Sequence, residues 1–188
     1  MMREQGVTIQ FCGFGGQGII LSSVILGAAA VTKAGLSATQ TQSYGSEARG
    51  GECQAEVIVS GTPIDSPVAD RSDILIAMSQ SAYERYVGRL RSGGTLIYDP
   101  ELVDWGDKRG DIKVVSVPAT GMATEMGAKL SANMVMLGFL QQATGMFREN
   151  DLFGAIRENV RERFIEINIK AAQKGMELAK EKKVCVEV

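Results

Sequence analysis

A glycine-rich stretch, Phe11-Cys12-Gly13-Phe14-Gly15-Gly16-Gln17-Gly18, stands between a short apolar run and a long apolar segment with helical spacing. Glycine has no Cβ, so a turn built from it lets backbone N–H groups come close to a ligand phosphate, and a helix that starts there adds its positive end. The stretch therefore predicts an anion-binding elbow between a strand and a helix. A tight strand-to-helix turn that binds nothing is the alternative.

The residues after the elbow test whether it binds a dinucleotide. Gly13, Gly15 and Gly18 have the spacing of the dinucleotide fingerprint, which also needs a carboxylate at the end of the second strand to hold the ribose. The predicted second strand, Ala38–Ser43, contains no carboxylate. It leads into a second glycine-rich loop, Tyr44-Gly45-Ser46-Glu47-Ala48-Arg49-Gly50-Gly51. If the two loops leave adjacent parallel strands at their carboxyl ends, they face each other across the crevice where α/β sheets bind ligands.

Strand and helix patterns alternate along the first two thirds of the chain and predict an α/β fold. The short link after Ser43 favours an antiparallel pairing with the strand Glu52–Val59, so the sheet is expected to be mixed and mostly parallel. A helix over Ser81–Arg91 that ends at Ser92-Gly93-Gly94 is expected next, and Pro118–Gly121 is expected to be a loop. The predicted remaining strands are Val7–Phe11, Ile74–Ala77, Thr95–Tyr98 and Lys113–Val117, and the predicted C-terminal helices lie near Thr124–Leu130, Ala132–Thr144, Asp151–Arg161 and Ile165–Lys182. Together they predict one three-layer α/β/α domain over residues 1–188 with a helical C-terminal region.

Composition excludes several kinds of site. The 188 residues include no histidine, which excludes a Ser-His-Asp triad, a Cys-His pair and a histidine-ligated zinc site. Cys12, Cys53 and Cys185 are far apart and form no Cys-x-x-Cys pair, so they predict buried thiols and neither a disulfide framework nor an iron–sulfur cluster held by this chain. No catalytic residue and no metal ligand is predicted.

Charge and hydropathy limit the classes of binding partner and the cellular compartment that we expect for this chain. The formal net charge is −2 and the basic residues are scattered, so bulk charge does not favour binding to nucleic acid or to a membrane surface. No uninterrupted apolar segment approaches the roughly 18 residues that span a bilayer. The N-terminus leads straight into a strand, and a cytoplasmic location is expected.

Arg49 is the first candidate for contact with a ligand. A guanidinium binds phosphate with two hydrogen bonds, and the neighbouring Gly50 leaves room for the ligand to approach. An ion pair with Glu47 or Glu52 that only orders the loop is the alternative. Gln17 can donate a side-chain hydrogen bond to a ligand or simply start the helix. The full set of predicted cofactor-binding residues is Gly13, Phe14, Gly15, Gly16, Gln17, Gly18, Tyr44, Gly45, Ser46, Glu47, Arg49, Gly50 and Gly51.

Three further residues have both a structural and a functional interpretation. Tyr44 can pack on a ligand ring or pyrophosphate, or it can cover the core at the end of a strand. Asp99 lies at a strand's carboxyl end and can bind a ligand hydroxyl, although Asp99-Pro100 is also an ordinary turn signal. Asn133 can cap a helix, and a ligand contact is the less favoured interpretation.

The two glycine-rich loops, together with Asp73-Ile74-Leu75-Ile76-Ala77-Met78-Ser79-Gln80, resemble the gamma subunit of 2-oxoacid:ferredoxin oxidoreductases over nearly the whole chain. Within that family, Gln40–Gly45 and Ala77–Tyr83 look most like the branch specific for 2-oxoglutarate. Gamma-type subunits of pyruvate, branched-chain 2-oxoacid and indolepyruvate oxidoreductases are alternatives.

The resemblance implies one subunit of a heteromeric enzyme that oxidatively decarboxylates 2-oxoglutarate to succinyl-CoA. Alpha, beta and ferredoxin-like delta subunits are the implied partners. Thiamine diphosphate and the iron–sulfur clusters are expected to be bound mainly by these partner subunits, and the clusters are expected to pass electrons to ferredoxin or flavodoxin. In related fused enzymes the equivalent domain closes over the thiamine site and contacts coenzyme A. The resemblance therefore implies that the two loops cradle the phosphates of coenzyme A, with Arg49 as charge partner and Gln17 as hydrogen-bond donor.

Two rival functions are open on the sequence. A free-standing NAD-dependent oxidoreductase would use the glycine spacing, and it predicts that the isolated chain binds NADH tightly. A nucleotide-binding regulatory module predicts a monomer that binds adenine nucleotides without partner subunits.

Overall fold

A computed structural model describes residues 6–44, 51–106 and 109–188. Within these ranges six strands form one sheet in the order β2-β3-β1-β4-β5-β6. The strands are β1 (Val7–Phe14), β2 (Ser37–Tyr44), β3 (Glu52–Ser60), β4 (Ser72–Ala77), β5 (Leu90–Tyr98) and β6 (Lys113–Ser116). β3 is antiparallel to both of its neighbours, whereas the other neighbouring pairs are parallel. The prediction of a mixed, mostly parallel sheet is confirmed.

The helices cover the two faces of the sheet unequally. They are α1 (Ile19–Ala28), which continues as a π-helical turn over Ala29–Lys33, α2 (Gln80–Tyr86), α3 (Ala119–Glu125), α4 (Ala132–Thr144), α5 (Glu149–Asn159) and α6 (Ile165–Glu181). The larger apolar core lies between the sheet and α1 with the C-terminal helices. On the opposite face, α2 and the segment around Trp105 cover a smaller core that includes Leu75 and Leu96. This is the predicted α/β/α arrangement, with one thick and one thin outer layer.

The helix predicted over Ser81–Arg91 is shorter than expected. α2 ends at Tyr86, a short 3₁₀ turn follows, and the chain from Leu90 onward already belongs to β5. Arg91 forms an ion pair with Asp73 at the start of β4, which holds this segment against the sheet. Gly93 has φ +71° inside the strand, so the glycine pair that was expected to end a helix instead bends a strand. Ser79 is the N-cap residue of α2, and its hydroxyl accepts a hydrogen bond from the Ala82 N–H at 3.3 Å.

The prediction of a loop over Pro118–Gly121 is wrong, because the helix α3 begins at Ala119. The cause is Asp99, whose side chain is fully buried at the end of β5. Its Oδ2 accepts a hydrogen bond from the Thr120 N–H at 2.7 Å, and its Oδ1 accepts one from the Glu101 N–H at 3.1 Å. The carboxylate therefore satisfies donors at the start of α3 and in the turn after β5. Both oxygens bond within the chain, which supports the structural interpretation of this residue.

α5 begins two residues earlier than the helix predicted near Asp151–Arg161. The helix begins at Glu149, and Arg148 is its N-cap residue. Asp151 acts three positions later, where its Oδ2 accepts a hydrogen bond from the Arg148 N–H at 2.9 Å. That arrangement satisfies a donor that would otherwise have no partner at the helix start. α4 ends at Thr144 as predicted, and Gly145 after it has φ +61° in the left-handed region.

Candidate functional site

The elbow connects the buried strand β1 to the buried helix α1 in four residues, Gly15 to Gly18. Gly16 has φ +97° and Gly18 has φ +75°, both in the region that residues with a Cβ rarely adopt. Gly18 is also the N-cap residue of α1. The chain can turn this sharply into a helix only because these two positions are glycine.

The glycines of the elbow have different structural roles. A Cβ at Gly13 would lie 2.5 Å from Gln17 Oε1, and a Cβ at Gly18 would lie 2.3 Å from Asn133 Nδ2. A Cβ at Gly16 would meet no atom of the described chain within 4 Å. Gly13 and Gly18 therefore let the protein pack against itself, whereas Gly16 faces open space. The position that a ligand can approach most closely is Gly16.

Gln17 braces the elbow. Its Oε1 accepts a hydrogen bond from the Phe14 N–H at 2.6 Å, and its Nε2 donates to the Met78 carbonyl oxygen at 2.7 Å. Met78 directly follows β4, so the side chain connects the turn after β1 to the end of the neighbouring strand. The structure thus gives Gln17 a positioning task, and donation to a ligand by its second amide hydrogen stays a prediction.

Asn133 is a second brace. It lies at the start of α4, is 3% exposed, and donates from Nδ2 to the Gly18 carbonyl oxygen and to Ser22 Oγ, each at 3.2 Å. These bonds connect the C-terminal helices to the first turn of α1 across more than 110 residues of sequence. The sequence suggested a helix cap as its main role, and no local pattern points to a partner this distant.

The elbow also presents backbone hydrogen-bond donors at its surface. The Gly15 N–H donates to the Gly51 carbonyl oxygen at 3.0 Å, and the Gln17 N–H donates to the Phe14 carbonyl oxygen at 3.2 Å. Within the described part of the chain, the N–H groups of Gly16 and Gly18 have no acceptor. The first turn of α1 carries no acidic residue, so its positive end is not neutralised locally. This combination favours an anion above Gly16.

The second glycine-rich loop leaves the same edge of the sheet. Phe14 at the end of β1 pairs with Glu52, and Tyr44 at the end of β2 pairs with Cys53. The two loops also touch, through the bond between Gly15 and Gly51. However, β1 and β2 are not adjacent, because β3 lies between them. The prediction of neighbouring strands is wrong, since a hairpin places its returning strand beside β1, but the loops still leave the sheet on one side.

Most of that second loop lies outside the described residues. This applies to Gly45, Ser46, Glu47, Arg49 and Gly50. For Arg49, the sequence left open an ion pair with Glu52. The structure shows Glu52 Oε2 3.1 Å from Arg85 Nη1, so that carboxylate has a cationic partner on α2.

Two grooves flank the elbow on either side of Leu130, whose side chain is 86% exposed. One groove of about 400 Å³ includes Gly16, Asn133, Arg161 and Phe164 in its lining. The other, of about 270 Å³, is lined by Gly16, Gln17, Met78, Leu102, Thr120, Lys129, Leu130 and Ala132. Gly16 belongs to both, so the elbow can be reached from two sides. Lys129 and Arg161 add one cation to each groove, and the sequence patterns indicated neither.

A cavity of about 570 Å³, larger than either groove, lies at the opposite end of the strands, near the start of β1. Its charged lining residues include Asp73, which already bonds to Arg91 and accepts a hydrogen bond from the Thr8 N–H at 2.9 Å. This network ties β1, β4 and β5 together. Size alone therefore does not identify the functional edge, and the backbone donors at the elbow do.

The cysteines do not form a common site. Cys12 and Cys53 are buried on opposite faces of the sheet, and burial raises the pKa of both thiols. Cys185 is exposed, which makes the prediction of three buried thiols wrong for that residue. The described residues contain no group of three or more His, Cys, Asp or Glu side chains that could hold a metal ion. In the same ranges, no helix is both long and apolar enough to cross a membrane.

The sequence profile of the pyruvate ferredoxin/flavodoxin oxidoreductase family matches residues 8–178. The chain belongs to this family. The 2-oxoglutarate synthase subunit KorC of Methanothermobacter marburgensis is 46% identical over 187 residues, which cover 96% of this chain and 98% of that subunit. The resemblance to the gamma subunit is confirmed, and so is the assignment of the chain as one subunit of a 2-oxoacid:ferredoxin oxidoreductase.

Two solved structures place the fold within the family. The gamma subunit of keto/oxoacid ferredoxin oxidoreductase from Geobacter sulfurreducens superposes with a TM-score of 0.81 at 36% identity, covering 93% of this chain and 99% of that one. A 2-oxoglutarate:ferredoxin oxidoreductase from Magnetococcus marinus, solved with 2-oxoglutarate, coenzyme A and succinyl-CoA bound, superposes with a TM-score of 0.86 at 27% identity. The match covers 95% of this chain and 32% of the Magnetococcus chain. The fold is therefore found both as a separate subunit and within a longer chain.

Proposed function

We propose that this chain is the gamma subunit of a 2-oxoglutarate:ferredoxin oxidoreductase, which converts 2-oxoglutarate and coenzyme A to succinyl-CoA and CO2 while it reduces the acceptor. The observation that carries the substrate assignment is the 46% identity to KorC from end to end. The longer Magnetococcus enzyme, whose matching portion has the same fold, was solved with 2-oxoglutarate, coenzyme A and succinyl-CoA bound.

The chain's own task in this proposal is to hold coenzyme A. The N–H groups of Gly16 and Gly18, which have no acceptor among the described residues, and the positive end of α1 suit the negatively charged diphosphate of coenzyme A. The loop over residues 44–51 supplies Arg49 as a bidentate partner for a phosphate. The missing carboxylate on β2 disfavours the ribose contact of NAD and does not affect the phosphates.

The remaining cofactors belong to partner chains in this proposal. Alpha and beta subunits would hold thiamine diphosphate between them, and that cofactor would supply the chemistry of decarboxylation. Iron–sulfur clusters held by the partners, including a delta subunit, would carry electrons to ferredoxin or flavodoxin. This chain closes over the thiamine site and positions the thiol carrier for acyl transfer. Positioning of a second reactant is a large part of catalysis even when the positioning chain supplies no reactive group.

An alanine substitution of Arg49 tests coenzyme A binding in the assembled enzyme. Loss of a charged hydrogen bond costs about 1.5–3 kcal/mol, so the KM for coenzyme A should rise about 10- to 100-fold at unchanged saturated kcat. The matched control is Arg71→Ala, which removes an exposed guanidinium at the opposite end of the strands and should leave the KM unchanged. If the KM is the same in the Arg49 variant and the wild type, Arg49 is not the phosphate partner.

The choice of 2-oxoacid needs its own test. The assembled enzyme should show its highest kcat/KM with 2-oxoglutarate when it is compared with pyruvate, a branched-chain 2-oxoacid and indolepyruvate. A clear preference for one of the other three would reassign the substrate and leave the proposal for coenzyme A intact.

A further inference from the structure

The strand β2 forms one edge of the sheet, and no strand of the described residues pairs with its outer side. It runs for eight residues, Ser-Ala-Thr-Gln-Thr-Gln-Ser-Tyr, and its register with β3 is continuous from Ser37 to Tyr44. It contains no charged residue, no proline and no bulge, which are the features that normally prevent pairing with another strand. The opposite edge strand, β6, is only four residues long and begins with Lys113.

An apolar groove runs along this same edge. It has a volume of about 210 Å³ between α1 and β2, and its lining includes Val24, Ala28, Val31 and Ala38. Val31, in the π-helical turn that continues α1, is 46% exposed. A partner strand added to β2 would therefore bury apolar side chains in addition to pairing its backbone groups.

The order of side chains along β2 is self-complementary about Thr41. In an antiparallel pair of two copies centred there, Thr41 faces Thr41, Gln40 faces Gln42, and Thr39 faces Ser43 of the other copy. Each facing pair is chemically matched, and no like charges meet across the twofold axis. A closed symmetric dimer requires a surface that complements itself in this way. We propose that β2 pairs antiparallel with β2 of a second copy of this chain, which joins two six-stranded sheets into one.

A cysteine cross-link tests both the pairing and its register in the assembled enzyme. The test uses a Cys185→Ser background, because that native thiol is exposed. Thr41→Cys should form a disulfide-linked dimer of this chain under mild oxidation, since facing residues of an antiparallel pair have Cα atoms about 4.5–5.5 Å apart. Gln40→Cys alone should cross-link much less, because its counterpart in the other copy lies diagonally at about 7–8 Å. Mixing Gln40→Cys with Gln42→Cys copies should restore the link.

Two results would overturn the proposal. One is that Thr41→Cys, in an enzyme that retains its activity, gives no dimer band or gives no more than Gln40→Cys. The other needs no variant: native mass spectrometry of the wild-type assembly should find an even number of copies of this chain, and an odd number contradicts a twofold pairing.

Discussion

The substitution Gly16→Ala separates a ligand-binding role of the elbow from its folding role. Gly16 has φ +97°, and no atom of the described residues lies within 4 Å of the place where a Cβ would be. Alanine therefore introduces backbone strain and a methyl group above the elbow without a clash with that part of the chain. Alanine in the left-handed region costs about 1–2 kcal/mol, which is the expected loss in the free energy of unfolding. If Gly16 lies against a phosphate, the methyl group also displaces that phosphate from the N–H.

Gly35 provides a matched control. It follows the π-helical turn at the other end of α1, has φ +70°, and also has open space, with no atom within 4 Å, where a Cβ would be. Gly35→Ala should therefore lose a similar amount of stability, about 1–2 kcal/mol, without touching the elbow. Because both variants carry similar backbone strain, a difference between them in coenzyme A binding reports on the elbow alone.

Steady-state kinetics of the assembled enzyme at saturating 2-oxoacid and acceptor, with coenzyme A varied, gives the result. Loss of one charged hydrogen bond predicts a KM for coenzyme A raised about 10- to 100-fold in Gly16→Ala, and a KM close to the wild-type value in Gly35→Ala. Equal KM values in the two variants would refute the reasoning, because the elbow would then matter only for folding.

Two further predictions concern stability. Gly138→Ala places a Cβ 1.9 Å from the Ala172 carbonyl oxygen where α4 crosses α6, so it should lower the free energy of unfolding, measured by chemical denaturation, by about 3 kcal/mol. The control Gly27→Ala, which adds a methyl group in open space on α1, should raise the free energy of unfolding by up to about 1 kcal/mol. Equal effects of the two substitutions would contradict the close approach of α4 and α6. The hydrogen bonds from Arg148 lower the pKa of Asp151, so the capping interaction stabilises the fold fully above the unfolded pKa of about 3.9 and is lost as the pH falls through the lower folded value. The stability difference between the wild type and Asp151→Asn should therefore shrink in acid, and a constant difference from about pH 6 to about pH 2 would show that the carboxylate charge is not involved.

The local parts of the fold could be predicted from the sequence because their causes are local. The strand β1, the glycine elbow and the start of α1 follow one another directly along the chain, and the hairpin between β2 and β3 follows from a short link. Apolar periodicity likewise located α4 at its observed bounds, and it placed the end of α6 one residue too late. In each case the residues that determine the structure are close to it in sequence.

The sequence-based predictions failed where the local structure depends on residues that are distant in the sequence. Nothing near Asp99 indicates that its carboxylate will bond to Thr120 and start α3 there. Asn133 reaches Gly18 only after the C-terminal helices have packed on α1. The cations beside the elbow, Lys129 and Arg161, come from segments that have no pattern in common with the glycine loops. Tertiary packing brings these groups together, and periodicity carries no information about it.

A structure of the assembled enzyme with coenzyme A bound would show whether the elbow holds the coenzyme. We expect a phosphate oxygen about 2.7–3.1 Å from the backbone nitrogen of Gly16 or Gly18 at the start of α1. Coenzyme A bound in the enzyme with its phosphates away from both nitrogens would contradict it.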